Sequence, residues 1–95
     1  MHINEFQKLM YKLYYSRDIK RGKEETLAWL KDEVEELKEA LKEDNMKAVE
    51  KEIADVLAWL ASLANLINID LENAALSKYC NKCPKCRQIP CDCPF

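Results

Sequence analysis

The chain is predicted to be all-α: an antiparallel helical bundle completed by oligomerisation, with a short cysteine-rich C-terminal tail. Three observations predict this. Up to position 79 there is one glycine, Gly22, and no proline, and Ala, Leu, Glu and Lys, all good helix formers, dominate. Apolar residues recur three and four apart over long stretches, the period of a helix and not of a strand. All five cysteines and all three prolines lie beyond position 79. That abrupt change divides the chain into a helical domain, 1–79, and a tail, 80–95.

The first helix is expected to begin at Asn4, with Gln7 completing a capping box, and to bury Phe6, Leu9, Met10 and Leu13. It should fade near Ser16 into a basic connector containing Arg17, Lys20, Arg21 and Lys23, with Gly22 as a turn or cap. A second helix is expected from about Glu24 to Glu43. Its apolar seam is Leu27, Leu30, Val34, Leu37 and Leu41. Asp44 and Asn45 supply a tight break and an N-cap. The third helix, from Met46 to about Ile67, carries Val49, Ile53, Val56, Leu60, Leu63 and Ile67 on its main face, and Ala54, Leu57, Ala58, Trp59, Ala61 and Leu66 around the rest. A helix apolar nearly all round must be covered nearly all round. Ninety-five residues supply too little cover for it, so a homodimer or homotetramer is expected. A fourth helix is predicted from the cap Asp70 to near Tyr79.

The formal charge of −2 gives no reason to expect nucleic-acid or membrane binding. Asn65 and Asn68 interrupt the best candidate for a membrane span. The beginning MHINEFQKLM lacks the pattern of a signal peptide, and a cytoplasmic location is expected.

Most acidic residues have an ordinary explanation. Asp32, Glu35 and Glu39 lie away from the apolar seam with Lys31, Lys38 and Lys42 nearby, and read as a solvated face. Glu33 and Glu36 instead project to the flank of the seam, beside Trp29 and Ala40. Asp55 interrupts the apolar run EIADVLAWLASLA, and Glu52, Asp55, Trp59 and Ser62 share one flank. Burying an unpaired carboxylate is costly, so such groups need a cation, a partner or a proton. Beyond Lys51 the third helix offers no basic residue. Two acidic pairs at i, i+3 on adjacent antiparallel helices would converge into an oxygen cage of the kind that suits Mg²⁺ or Mn²⁺.

Residues 29–41, WLKDEVEELKEAL, followed by 52–79, EIADVLAWLASLANLINIDLENAALSKY, resemble the MazG-like nucleoside triphosphate pyrophosphohydrolases of the all-α NTP pyrophosphatase superfamily. That family is marked by E-x-x-E on one helix and E-x-x-D on the next. Glu33 and Glu36 fill the first pair here, Glu52 and Asp55 the second. The upstream YYSRDIKRG is similar to the segment preceding the motif in single-domain members, so the similarity covers most of 1–79. The resemblance implies Mg²⁺-dependent hydrolysis of a nucleoside triphosphate, with Mn²⁺ able to substitute, for control or cleaning of the nucleotide pool. Water would attack the α-phosphorus and release a monophosphate and pyrophosphate. Glu33, Glu36, Glu52 and Asp55 would be the catalytic metal ligands, with Glu36 or Glu33 orienting the water.

Phosphates also call for fixed positive charge. Arg17 and Arg21 of the connector are candidate substrate contacts, their alternative being ordinary surface residues. Lys78 resembles a lysine found after this motif in relatives, and Asn81 is a nearby polar candidate. Trp59, one turn after Asp55, would border a base pocket or else serve as core; Trp29 is a weaker candidate. His2 is given no role.

The tail reads Cys83-Pro-Lys-Cys86, a short turn, then Cys91-Asp-Cys93. C-x2-C followed by C-x-C can wrap a tetrahedral Zn²⁺, which would order a segment with no core of its own. Cys80 is an alternative ligand. Disulfides and a disordered reduced tail are the competing readings. The functional alternative to an enzyme is a non-enzymatic helical interaction module with a zinc-binding tail. A di-iron bundle would want Glu-x-x-His pairs, and His2 is the only histidine.

Overall fold

The computed structural model describes residues 1–94. Four helices follow one another: α1 (Ile3–Arg21), α2 (Lys23–Lys42), α3 (Met46–Leu66) and α4 (Leu71–Lys78). No strand occurs among the described residues. The all-α expectation therefore holds, and α2, α3 and α4 lie within a residue or so of their predicted limits.

The first helix differs from expectation at both ends. His2, not Asn4, is its N-cap, and the Glu5 side chain accepts from the His2 backbone N–H at 3.0 Å. At the other end the basic connector is not a loop. Helix continues to Arg21, because nothing from Arg17 to Arg21 breaks it. The break is Gly22 alone, at φ 85° and ψ 164°, a backbone region that side-chain-bearing residues rarely enter. Gly22 also starts α2, its carbonyl accepting from the Thr26 backbone N–H at 3.0 Å and from Thr26 Oγ1 at 2.7 Å.

The other two junctions use left-handed residues. Asp44 (φ 57°) and Asn68 (φ 61°) follow α2 and α3. The next N–H reaches back to an orphaned helix carbonyl in each case: Asn45 to Ala40 at 3.3 Å, and Ile69 to Ala64 at 2.9 Å. Asn45 then caps α3, accepting from Ala48 N–H at 3.2 Å, and Asp70 caps α4, accepting from Asn73 N–H at 2.9 Å. Both caps are as the sequence predicts. The α3 and α4 axes differ by 98°.

Helix α3 is central, packing most extensively on α2 and then on α1. The fully buried apolar residues are small or few: Met10, Ala40, Val49, Ala61 and Ala64. Small side chains along α3 let a neighbouring backbone come close. The apolar seams divide. On α2, Leu30 and Leu37 are partly covered, whereas Leu27, Val34 and Leu41 are 47%, 47% and 56% exposed. On α3, Val49, Val56 and Leu63 turn inward while Ile53, Leu60 and Ile67 stay open. Each outward row repeats every seven residues, the interval of a helix–helix seam. No single helix is long and apolar enough to cross a membrane.

Gln7 is a clamp and not a capping residue. Its Nε2 donates to Asn65 Oδ1 at 3.0 Å and to the Ile69 carbonyl at 2.7 Å, and its Oε1 accepts from Leu71 N–H at 2.9 Å. Asn65 Nδ2 returns a bond to the Gln7 carbonyl at 3.2 Å. One buried amide thus holds α1 to the α3–α4 corner. Gln7→Leu should cost roughly 1–3 kcal/mol for each partner left buried and unpaired. Urea unfolding would measure the loss, and amide exchange at Leu71 should quicken with it.

Candidate active site and metal centre

Asp44 is the midpoint of the α2–α3 hairpin. Positions equally far from it along the chain come opposite one another, so Glu36 faces Glu52 and Glu33 faces Asp55. The turn chemistry that fixes Asp44 therefore also fixes the register of the acids. One carboxylate oxygen each from Glu33, Glu36 and Glu52 lies within 4.8 Å of the others. Asp55, the fourth predicted ligand, stands outside that group. It is exposed and lines the adjoining cavity, one turn along α3.

Electrostatically the cluster is unbalanced. Glu33 Oε2 and Glu52 Oε2 are buried with no hydrogen-bond partner. The ion pairs among the described residues, Arg21–Asp18 and Lys42–Glu39, leave all four predicted acids without a cationic partner. Burial, then the hydrogen bond and charge of Glu36, push the Glu33 carboxyl up to about 7. Glu52 is raised as well, first by burial and then by a hydrogen bond that its protonated carboxyl donates to Glu36. Orphaned buried oxygens on converging carboxylates are the donor set that a hard divalent cation fits.

Two cavities flank the acids, and they differ in charge. One, of about 290 Å³, is lined by Tyr14, Arg17, Asp18, Arg21, Asp55 and Trp59, with Met10, Ala58 and Ser62 completing it. The other is shallow and acidic, lined by Glu35, Glu36, Glu39, Glu43 and Glu52 with Ala40 and Ala48. Arg17 and Arg21 reach the first cavity because α1 stays helical. Tyr14, Arg17, Asp18 and Arg21 then fall three and four apart on one face. The helical count continued past Ser16 places Asp18 on this face too, a position that the basic character of the segment conceals.

Asp18 is fully buried and ion-paired to Arg21. Arg21 also donates from Nε to Thr26 Oγ1 at 3.3 Å, and its guanidinium lies 4.6 Å from the centroid of Trp59. Trp59 stacks on Trp29, centroids 5.6 Å apart and planes 9° from parallel. Both tryptophans are thus part of one stack with Arg21, and Trp29 has a clear structural role. Arg17 is exposed and enters no ion pair among the described residues. Lys78 lines neither of these cavities. It faces a separate one with Cys80, Lys82, Cys83, Pro84 and Arg87.

The paired acids, their helical hairpin and the arginine-bearing cavity can be set beside known families. The model of the MazG nucleotide pyrophosphohydrolase domain matches residues 21–87, more than half of the chain. The chain belongs to this family. No curated protein matches it. The match takes in all four acids of the MazG motif and runs into the tail as far as Arg87, farther than the resemblance seen in the sequence. It starts only at Arg21, so most of α1, including Arg17 and Asp18, lies outside it.

The raised carboxyls make a stability prediction for the metal-free protein. Between the ordinary glutamate value and about 7 the folded state holds the Glu33 proton more tightly than the unfolded state does. Stability should therefore fall as pH rises through that window and level off above it. Glu33→Gln should raise the metal-free thermal midpoint at pH 8 and flatten the slope. One kcal/mol is roughly 4–8 °C in a domain this small, so differential scanning calorimetry resolves the change.

Proposed function

We propose that this MazG domain hydrolyses nucleoside triphosphates to the monophosphate and pyrophosphate with Mg²⁺ held by Glu33, Glu36, Glu52 and Asp55. The observation that carries the reading is the convergence of three acid oxygens within 4.8 Å, two of these side chains each holding a buried, partnerless oxygen. When bound, Mg²⁺ would neutralise phosphate oxygens and polarise the phosphorus under attack; Mn²⁺ would serve the same chemistry.

The remaining roles fall to the chain's own groups. Glu33 and Glu52, each with a buried partnerless oxygen, would be the principal holders of the cation. Glu36 is the exposed member of the cluster and, besides its share in holding the ion, would orient the attacking water and take its proton. The new bond forms between the water oxygen and the α-phosphorus. The α-phosphorus–oxygen bond to the β-phosphate breaks, and its electron pair leaves with pyrophosphate. A polyanion avoids the glutamate-lined side of the cluster, so the triphosphate approaches from the cavity that holds Arg17 and Asp55. Arg17 is the cation available to meet it, since Arg21 is engaged by Asp18, Thr26 and Trp59. Trp59, at the wall of that cavity, borders the nucleoside.

Product analysis with Mg²⁺ and a panel of ribo- and deoxyribonucleoside triphosphates tests this. Monophosphate and pyrophosphate should appear in equal amounts. Asp55→Asn and Glu36→Gln should each lower turnover on the order of 10²–10³-fold, the scale for removing one aimed electrostatic group. Orthophosphate release would overturn the α-phosphorus assignment, and no turnover with either Mg²⁺ or Mn²⁺ would overturn the enzyme.

We further propose that the chain works as a homo-oligomer, seated through the open Leu27–Val34–Leu41 and Ile53–Leu60–Ile67 rows. Light scattering should give a multiple of the 11.1 kDa chain mass. Leu60→Glu, placing a charge in the row, should return it to a single chain. A monomeric wild-type protein would refute the proposal.

A further inference from the structure

The tail beyond α4 contributes no residue to the buried apolar core, yet it is folded. Arg87 N–H closes a turn onto the Cys83 carbonyl at 2.8 Å, and Cys83 N–H meets the Gln88 carbonyl at 3.3 Å. Arg87 sits in the left-handed region at φ 63°, a position that costs an ordinary side chain free energy. Something must hold such a segment together. Four sulfurs stand close together within it.

Sγ atoms of Cys83, Cys86, Cys91 and Cys93 all lie within 4.8 Å of one another. Cys83 and Cys93 are 3.7 Å apart, and Cys86 and Cys91 3.9 Å. Thiolates at about 2.3 Å from a tetrahedral zinc ion are about 3.8 Å from each other. The two opposite edges therefore match a zinc tetrahedron. They are far too long for disulfides, whose sulfurs stand about 2.05 Å apart. Backbone N–H groups also point at sulfur: Asp92 to Cys86 at 3.2 Å and Cys93 to Cys91 at 3.3 Å. Such donors stabilise thiolates. Four thiolates around Zn²⁺ leave a net charge of −2, which Lys82, Lys85 and Arg87 of the same loop offset.

We infer that Cys83, Cys86, Cys91 and Cys93 form a closed structural Zn²⁺ site, with Cys80 excluded as a free thiol, and that this ion alone folds the tail. The site is separate from the carboxylate centre and takes a soft-ligand metal where the other takes a hard one. The family match covers its first two ligands and ends before the second two. Closure of the site is therefore a property of this chain beyond the matched domain. Each thiol loses its proton to zinc, so loading at neutral pH releases protons.

Elemental analysis and thiol counting on the full chain, purified without added chelator, test the inference. One zinc per chain is expected, with one thiol reactive toward a disulfide reagent, rising to five in denaturant with chelator. Cys80→Ser should keep the zinc and abolish the reactive thiol, whereas Cys93→Ser should lose the metal. Chelation should collapse the amide resonances of residues 81–94 and leave helical ellipticity unchanged. Iron in place of zinc, a metal-free chain with disulfides, zinc loss in Cys80→Ser, or tail resonances that persist after chelation would each overturn the inference. None of these readouts depends on nucleotide turnover.

Discussion

Like charges brought together on an apolar hairpin set the terms for this molecule. Glu33, Glu36 and Glu52 converge where burial already penalises ionisation, and no basic side chain among the described residues pairs with them. A folded chain can tolerate this in two ways: it holds protons or it holds a cation. The upward shift of Glu33 to about 7 is the first solution, adopted when no metal is present. Near neutral pH that proton is only loosely kept, so a divalent ion can displace it without a large penalty. The strain in the metal-free acids and the readiness to bind a cation are the same fact seen from two sides.

That hairpin is held in register by remarkably little apolar burial within the chain. The buried residues of α3 are Val49, Ala61, Ser62 and Ala64, and polar links substitute for bulk: Gln7 at the α3–α4 corner, and Asp18–Arg21–Thr26 at the α1–α2 corner. Small side chains bring the helices close, which the acid cluster requires, but they bury little area. The larger aliphatics sit in the outward rows, where a second copy would cover them. The close packing of the site thus rests on small side chains, while the larger aliphatics of the same two helices are left on the open surface.

The fold was readable because its punctuation is chemical. Asn45 and Asp70 cap the helices they were expected to cap, and Gly22 is the break. Glu33, Glu36 and Glu52 do come together from their helical spacing, whereas Asp55, conspicuous in the sequence because it interrupts an apolar run, is exposed and stands outside the cluster. What escaped reading depends on contacts between distant positions. Gln7 looks like a capping residue locally, and only the approach of Asn65 and Ile69, 58 and 62 residues away, makes it a clamp. Arg17 to Arg21 looked like a connector because a cluster of like charges is unfavourable in an isolated helix. Burial of Asp18 against Arg21, and of Arg21 against Trp59, repays that cost and keeps α1 helical. Splitting each seam into covered and open rows was likewise invisible, since periodicity reports which residues are apolar and not which neighbour takes them.

Two proposed metal sites at opposite extremes of ligand hardness, in one chain of 95 residues, raise the question of how each would avoid the wrong metal. Coordination chemistry answers it without any selectivity device. Zinc binds carboxylates more tightly than magnesium does, but thiolates hold it far more tightly still. A chain whose tail takes the first zinc ion leaves the acids to the abundant Mg²⁺ until zinc exceeds one equivalent. Beyond that point zinc would compete at Glu33, Glu36 and Glu52. If both proposed sites are filled, four thiolates and an open carboxylate face would divide the metals by softness and geometry. On the proposed function, the face that would admit water and a triphosphate would be left with the ion that keeps its coordination shell exchangeable.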